Sequence, residues 1–395
     1  MLRSMLIPAA MLVTTACTNG DTDGIPIAQV GTLGNRIEVR NTGRQTWTPT
    51  TAWRVQEDLR LGSAALDDPE SESFGQIASI VTDSRDMIYV LDISSQAICV
   101  FHPTGEYSHS IGRRGTGPGE LSGAWTIAVG PGDTLWVVDD GTARYSAFSP
   151  DGSFLGSYRR RVQGFYPAVA GAFLNDGRYV DWRVSFPDGR MGARTRFEPI
   201  RVAPGIAGPD SLPPLEYEWR MLRAAGIPQT YFTGSLVAAV DRNGSIWFAH
   251  SEVYRIYRRT LAGDTALAFS LPAQGSPLGD DERDHVRSEL SHLPSLVAAI
   301  LQELPDTRPI VRRIVPDDAG HVLVFADVAG HTLGTVVDVF EEGGTYLGRL
   351  ILPSAVALSA RFPPVVHVTP EHLFLVVTDE LGVPSVSRLK ILRGT

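Results

Sequence analysis

Apolar and polar residues alternate in four short runs along residues 74–121, and turn residues separate the runs. The runs cover residues 77–81, 87–92, 97–101 and 107–111. This spacing predicts a four-stranded antiparallel meander. A single sheet of this kind leaves two faces and two edges uncovered, whereas copies stacked around an axis bury them. The pattern therefore predicts one blade of a β-propeller.

The same unit recurs along the chain, and an apolar triplet after a turn marks its second strand each time. The six triplets are Ile88-Tyr89-Val90, Leu135-Trp136-Val137, Arg178-Tyr179-Val180, Ile246-Trp247-Phe248, Val322-Leu323-Val324 and Leu373-Phe374-Leu375. Two of the intervals between them are long and contain insertions. We therefore expect an all-β, six-bladed propeller spanning residues 35–395.

The two ends of the chain are expected to meet in the last blade. The sixth unit ends near Ile391 after only three runs, whereas residues 53–62 look like the missing fourth run. An N-terminal strand added there would close the ring and cover its exposed edges. Residues 36–40 are predicted to add a further strand.

The two insertions differ in character. Residues 202–233 are rich in proline and aromatic residues, as binding loops often are. Residues 280–304, between blades four and five, begin with acidic residues and then show an apolar stripe of Val286, Leu290 and Leu293 before Pro294. This pattern predicts a helix followed by a second short helix over residues 295–304. We expect the pair to form a cap on one face of the propeller.

The first residues have the features of an export signal. One positive charge at Arg3 precedes an apolar stretch that is too short to span a membrane. The tetrapeptide ending at Cys17 resembles a bacterial lipobox, which implies a lipid anchor on Cys17. Thr14 departs from the usual Leu, so ordinary cleavage is the alternative. The expected organisation is a signal over residues 1–17, a tether over residues 18–34, and a location at the bacterial cell envelope, on the outer membrane because Thr18 follows the cysteine.

The chain resembles a known protein family in two motifs, each an aromatic residue followed by a turn, and in one linker. Val100-Phe101 precedes Pro103-Thr104-Gly105, and Ala147-Phe148 precedes Pro150-Asp151-Gly152. Together with the glycine-rich linker at residues 111–121, they make residues 50–395 similar to NHL-repeat proteins and related six-bladed propeller lipoproteins. The linker is interpreted as a turn, because its glycine spacing does not match a dinucleotide-binding loop.

Composition narrows the function classes. The formal net charge is −9 and no basic cluster stands out, which argues against nucleic acid as a partner. The sole lysine is Lys390, so a P-loop is excluded. Of the two cysteines, Cys99 lies in a predicted strand and is expected to be a small buried side chain. No cofactor is expected.

The sequence assigns no catalytic or metal-binding residues. The nine histidines are scattered, and only His367 falls on a predicted innermost strand. A zinc site needs three or four converging ligands, so the ligand sets of metalloenzymes with this fold are not found. No Gly-x-Ser-x-Gly motif is present. A catalytic triad assembled from distant residues stays open.

The strongest functional prediction is a ligand site where the linkers enter the innermost strands. Arginine and aromatic side chains at one mouth of the channel would suit a sugar, a peptide or an anionic ligand. Arg313, Phe165, Phe232 and Phe362 lie in the same stretches, and packing between blades is the alternative role for each residue. The candidates are Arg113, Arg114, Trp125, Tyr166, Tyr231, Arg312, Arg361 and His367.

Three functions fit this pattern. The first is a membrane-anchored, monomeric binding module for a small ligand, a glycan, a peptide or an envelope protein. The second is a lyase or hydrolase with its active site at the channel mouth. The third is a structural component of an envelope complex. The fold does not choose among them.

Overall fold

The structure is a computed structural model that describes residues 26–62, 73–162, 169, 171–189, 194–202, 210–218, 231–356 and 364–394. Five residues named in the predictions of anchor and ligand site lie outside these ranges: Cys17, Phe165, Tyr166, Arg361 and Phe362. Six separate β-sheets make up the described fold.

The first three strands precede blade one: β1 (Ala28–Leu33), β2 (Arg36–Asn41) and β3 (Arg54–Leu61). Blade one consists of β4 (Ile77–Thr82), β5 (Ile88–Asp92), β6 (Ala97–Phe101) and β7 (Tyr107–Ile111). Blade two consists of β8 (Ala124–Val129), β9 (Leu135–Asp139), β10 (Arg144–Phe148) and β11 (Phe154–Arg159). The four predicted runs of blade one thus match the four strands to within one residue.

Blade three has a short inner strand and a divided outer edge. Its strands are β12 (Ala172–Phe173), β13 (Tyr179–Ser185), β14 (Arg194–Val202), β15 (Asp210–Ser211) and β16 (Leu215–Glu218), and the last two both pair with β14. Blade four contains β17 (Leu236–Val240), β18 (Ser245–His250), β19 (Arg255–Thr260) and β20 (Thr265–Ser270).

Two helices separate blade four from blade five: α1 (Asp280–Glu289) and α2 (Pro294–Gln302). Blade five contains β21 (Val311–Pro316), β22 (His321–Ala326), β23 (Val336–Glu341) and β24 (Tyr346–Ile351). Blade six contains β25 (Val366–Val368), β26 (His372–Thr378) and β27 (Pro384–Leu392), and β3 is its fourth strand. Six blades and the helical insertion between blades four and five confirm the predicted fold class.

The pairing of β3 with β27 closes the ring. The two strands are antiparallel, and their register runs from Val386 opposite Leu61 to Leu392 opposite Arg54. The Asp58 carboxylate accepts hydrogen bonds from Nε and Nη2 of Arg388 at 2.9 and 3.1 Å. The predicted closure of the last blade by the N-terminal chain is confirmed.

The further strand predicted over residues 36–40 exists, but it lies on blade four rather than beside β3. Strand β2 pairs in parallel with β20, and β1 pairs with β2 on the outside. Asn41 fixes this position, since its Nδ2 donates to the Ser270 and Gly344 carbonyls at 3.1 and 2.9 Å. The segment predicted as a tether, residues 18–34, therefore includes a strand from Ala28 onward.

Between β2 and β3 the chain crosses the rim of blade five. The Trp47 backbone N–H donates to the Leu347 carbonyl at 2.9 Å, and its indole ring covers Gly348. A Cβ on Gly348 would lie 2.2 Å from Trp47, so only glycine leaves room for this ring. Residues 28–61 therefore run along the outer rim of blades four, five and six, and we call them the rim belt.

Buried aspartates join neighbouring blades. Asp338 on β23 accepts hydrogen bonds from the Tyr254 hydroxyl at 2.8 Å, from the Tyr346 hydroxyl at 3.0 Å, and from Arg349 at 2.8 and 2.9 Å. Burial, together with the Asp338 carboxylate, raises the pKa of Tyr254 well above its usual value. A buried carboxylate is stable only with such partners, so this cluster ties blade four to blade five.

The helical insertion packs as predicted. Val286 of α1 and Ile300 of α2 are buried against Tyr231 and Phe232 from the loop before blade four. Acidic residues start α1, and the Glu282 side chain accepts the Gly279 N–H at 2.7 Å. The second helix begins at the proline that was expected to end the first, which suits a residue without an N–H to donate. Cys99 is also buried, as predicted.

Ring closure can be tested with an engineered disulfide between Val55 and Ile391, which face each other in the β3–β27 register. In a chain with Cys17→Ser, the pair Val55→Cys and Ile391→Cys should oxidise readily. It should raise the free energy of unfolding by about 2–4 kcal/mol, because the bond constrains a long loop of the unfolded chain. Mobility on a non-reducing gel and denaturant unfolding measure both effects.

The matched control moves one cysteine to the outer strand of blade four. Leu33→Cys with Ile391→Cys should form no intramolecular bond, because β1 lies on blade four and β27 lies in blade six. Equal cross-linking of the two pairs would contradict the arrangement of the rim belt.

Candidate functional site

The inner strands of the blades surround a cavity of about 360 Å³. Residues of β4, β8, β12, β17, β21 and β25 all line it, so it lies on the axis of the ring. We call it the axial channel. Its volume lies in the range of small-molecule sites, about 300–1,000 Å³.

Aliphatic side chains form much of the channel wall, together with polar and charged side chains. Several of the aliphatic ones also pack into the cores between the blades. Such a wall favours ligands with an apolar body. The aliphatic residues of the wall include Ile80, Val81, Ile127, Val240, Val315 and Val366.

Arg313 on β21 brings a positive charge into this wall. Protein atoms surround its guanidinium although the channel reaches part of it, and burial lowers its pKa to about 10. It stays charged at neutral pH. Its neighbour Arg312 points elsewhere, because Nε lies 3.7 Å from the buried Asp327 carboxylate. Successive side chains of a strand point to opposite faces, so Arg312 forms an ion pair while Arg313 faces the channel.

His367 on β25 faces Thr82 of the adjacent blade one. Its Nε2 and the Thr82 hydroxyl lie 3.0 Å apart in a hydrogen bond. Burial, and then the positive charge of Arg242, lower the pKa of His367 to about 4. The imidazole is therefore neutral at physiological pH and can donate or accept a hydrogen bond.

Carboxylates gather at the channel end formed by the turns after β17 and β21. Asp241 accepts the Trp247 indole N–H at 2.8 Å, and Asp317 lies 2.9 Å from the His321 ring. Asp318 lies 3.5 Å from Nε of Arg242. Each of these three carboxylates has a partner at that end.

A second ion pair lies in the wall between blades two and three. Arg160 donates through Nε to Asp181 at 2.8 Å and through Nη1 to Asp140 at 2.7 Å. The Tyr145 hydroxyl donates to Asp181 at 2.6 Å, and burial together with that carboxylate raises the pKa of Tyr145. The charged and polar groups of this network bind one another, which indicates a role in joining the blades.

The structure divides the predicted site residues among four places. Trp125 and His367 line the axial channel. The exposed linker holds Arg113, which pairs with Glu120 at 2.9 Å, and Arg114, whose Nη2 donates to the Ser94 carbonyl at 2.7 Å. Tyr231 is buried under the helical cap, and Arg312 pairs with Asp327. These residues therefore do not form one cluster.

Arg242 lines the channel but was not among the sequence predictions. It follows the end of the innermost strand β17, whereas the sequence predictions covered only the channel end where linkers enter. The turn signals after the innermost strands were visible in the sequence. They mark the second end of the channel and would have pointed to Arg242.

In the described part of the chain, no three histidine, cysteine or acidic side chains gather where they could hold a metal ion. Among the same residues, none of the helices combines the length and the apolar character needed to cross a membrane.

Comparison with known families supports the fold. A family model described as "DUF5128: 6-bladed beta-propeller" matches residues 59–164, which hold blades one and two. The chain is a six-bladed β-propeller. No curated protein matches the chain in sequence.

Solved structures show the same architecture at low identity. A Bacteroides fragilis protein suggested to be exported is 12% identical, with 91% of this chain and 100% of that chain covered and a TM-score of 0.53. Virginiamycin B lyase from Staphylococcus aureus is 10% identical over 86% and 100% of the chains, with a TM-score of 0.45. A gluconolactonase from Xanthomonas campestris is 12% identical over 87% and 99%, with a TM-score of 0.43. These likenesses concern the fold alone.

The position of His367 predicts a pH dependence of stability. Its pKa falls from about 6.5 in the unfolded chain to about 4 in the propeller, so the unfolded state binds more protons between these values. The contribution of His367 to stability is therefore complete above pH 6.5 and is lost as the pH falls toward 4. Compared with His367→Asn, the native chain should lose roughly 1–3 kcal/mol of unfolding free energy across this window.

Denaturant unfolding of both proteins at several pH values measures the difference. His292→Asn is the control, because His292 is exposed at the end of the helical cap. If the native chain and His367→Asn show parallel stability curves between pH 4 and 6.5, the imidazole does not sit in the environment described.

Proposed function

We propose that the chain is an exported, lipid-anchored six-bladed propeller that binds a ligand in its axial channel. One observation carries the proposal: all six blades contribute to a single cavity whose wall combines aliphatic side chains with polar and charged ones. This combination is typical of ligand sites, where apolar surface supplies affinity and polar groups set orientation.

Export and anchoring rest on the N-terminal sequence. Residues 1–17 combine the features of a signal with the lipobox cysteine Cys17. The rim belt begins at Ala28 on blade four, so residues 18–27 would connect an anchor on Cys17 to the propeller. Ten extended residues span at most about 35 Å. We propose that the rim of blade four stays near the outer membrane of the cell envelope.

Lipidation is testable by mass spectrometry of the protein extracted from its native membranes. We expect a diacylglycerol-modified cysteine at the new N-terminus and sedimentation with the membrane fraction. Cys17→Ser should abolish the modification and release the protein. Cys99→Ser is the control and should leave membrane association intact, because Cys99 is buried in blade one. An unmodified Cys17, or cleavage at another site, would rule the anchor out.

Ligand binding is testable by blocking the channel. We would screen oligosaccharides, short peptides and small organic acids for compounds that raise the melting temperature. Thr126 of β8 lines the channel, and Thr126→Trp should cancel these shifts by filling the space. Leu155→Trp is the control, since Leu155 is exposed on the outer strand of blade two. Hits that act equally on Thr126→Trp would place binding elsewhere, and turnover of screened compounds would favour the lyase or hydrolase alternative.

A further inference from the structure

Among the described residues, the side chain of Arg313 has no hydrogen-bond or ion-pair partner, unlike the other channel arginines. Arg160, by contrast, binds two carboxylates, and Arg242 lies 3.5 Å from Asp318. Arg313 is therefore the positive charge of the channel wall that the fold itself does not neutralise.

The carboxylates in the turns that follow β21 and β17 are engaged at the channel end. Arg313 lies three residues before the end of β21, which is about 10 Å along the strand. Asp317, beyond that end, accepts the backbone N–H groups of Ala319 and His321 at 2.9 and 2.7 Å. Asp241 accepts the Ser245 N–H at 2.8 Å. These carboxylates hold their turns, so they are not placed to pair with Arg313.

An unpaired guanidinium beside aliphatic side chains is unfavourable by itself, because it loses hydration without gaining a counter-charge. A ligand anion would remove this penalty. The planar guanidinium presents paired N–H donors that match a carboxylate or a phosphate. The unpaired charge therefore indicates an anionic ligand group at this point of the wall.

The number of negative charges distinguishes a carboxylate from a phosphate as the ligand group that Arg313 would bind. A carboxylate carries one negative charge, which Arg313 neutralises completely. A phosphate monoester carries nearly two at neutral pH, and Arg313 would leave one of them uncompensated. Arg242, which also lines the channel, already lies 3.5 Å from Asp318. His367 adds no charge as a neutral imidazole, but it adds a hydrogen-bonding group held in place by Thr82.

We propose that the axial channel binds an organic monocarboxylate, with the carboxylate on the Arg313 guanidinium and the apolar body along the aliphatic wall. The inference rests on the proposed function, that the channel binds a ligand, and it names the chemical class of that ligand. The His367–Thr82 pair is the second polar contact, available to a hydroxyl or carbonyl group on the same molecule.

The test uses a panel of defined probes on the purified protein. The acids are hexanoate, decanoate and 3-phenylpropanoate, the neutral analogues are their amides, and the dianion is phenyl phosphate. We expect at least one acid to bind by isothermal titration at least tenfold more tightly than its amide and than phenyl phosphate. Arg313→Met should reduce that affinity at least tenfold, and Arg313→Lys should recover part of it.

Two further measurements separate binding from structure. Without a ligand, Arg313→Met should melt at the same temperature as the native chain or higher, because it removes an uncompensated charge. A lower melting temperature would mean that Arg313 is a structural residue and would overturn the proposal. Arg159→Met, on the exposed end of β11, is the control and should leave acid binding unchanged.

The outcomes also separate this inference from the proposed function. If amides or uncharged compounds bind in the channel as well as the acids, and Arg313→Met does not weaken them, the channel binds a ligand but not a carboxylate. If phenyl phosphate binds more tightly than every acid, the assignment of a single charge is wrong. If no acid in the panel binds, the inference fails, and the wider screen with Thr126→Trp decides whether the channel binds anything.

Discussion

The pairing of β3 with β27 is the constraint on which the rest of the structure depends. A blade of three strands would expose the whole edge of β27 and leave its faces partly uncovered. With β3 in place, six sheets enclose one axis, and the inner strands become the wall of a cavity. The channel is thus a consequence of ring closure, since no single blade contains it.

Buried charges between the blades and in the channel differ in whether a counter-charge lies beside them. Between the blades, tyrosine hydroxyls and arginines surround Asp338 and Asp181, so these two buried charges are compensated. In the channel, Arg313 is buried without a counter-charge among the described residues. We propose that this arginine is retained for a ligand rather than for stability.

The sequence predicted the blades better than the channel, and the reason is physical. Strand runs, turns and the missing fourth strand near Ile391 are local patterns that repeat, so they could be aligned within one chain. The channel depends on which residue of each innermost strand faces the axis. The sequence does not distinguish the two neighbouring arginines Arg312 and Arg313. The bulge and the alternation of β21 place Arg312 against Asp327 and Arg313 in the channel wall.

The rim belt lies on blades four, five and six, which also carry three of the polar channel residues. Strands β1 and β2 extend blade four, Trp47 covers blade five, and β3 completes blade six. Blades four, five and six also carry Arg242, Arg313 and His367. A channel wall that holds an uncompensated charge lowers the stability of the blades that carry it. The hydrogen bonds and buried aromatic surface of the belt stabilise these same blades, so the N-terminal chain supports the candidate site without contributing a residue to it.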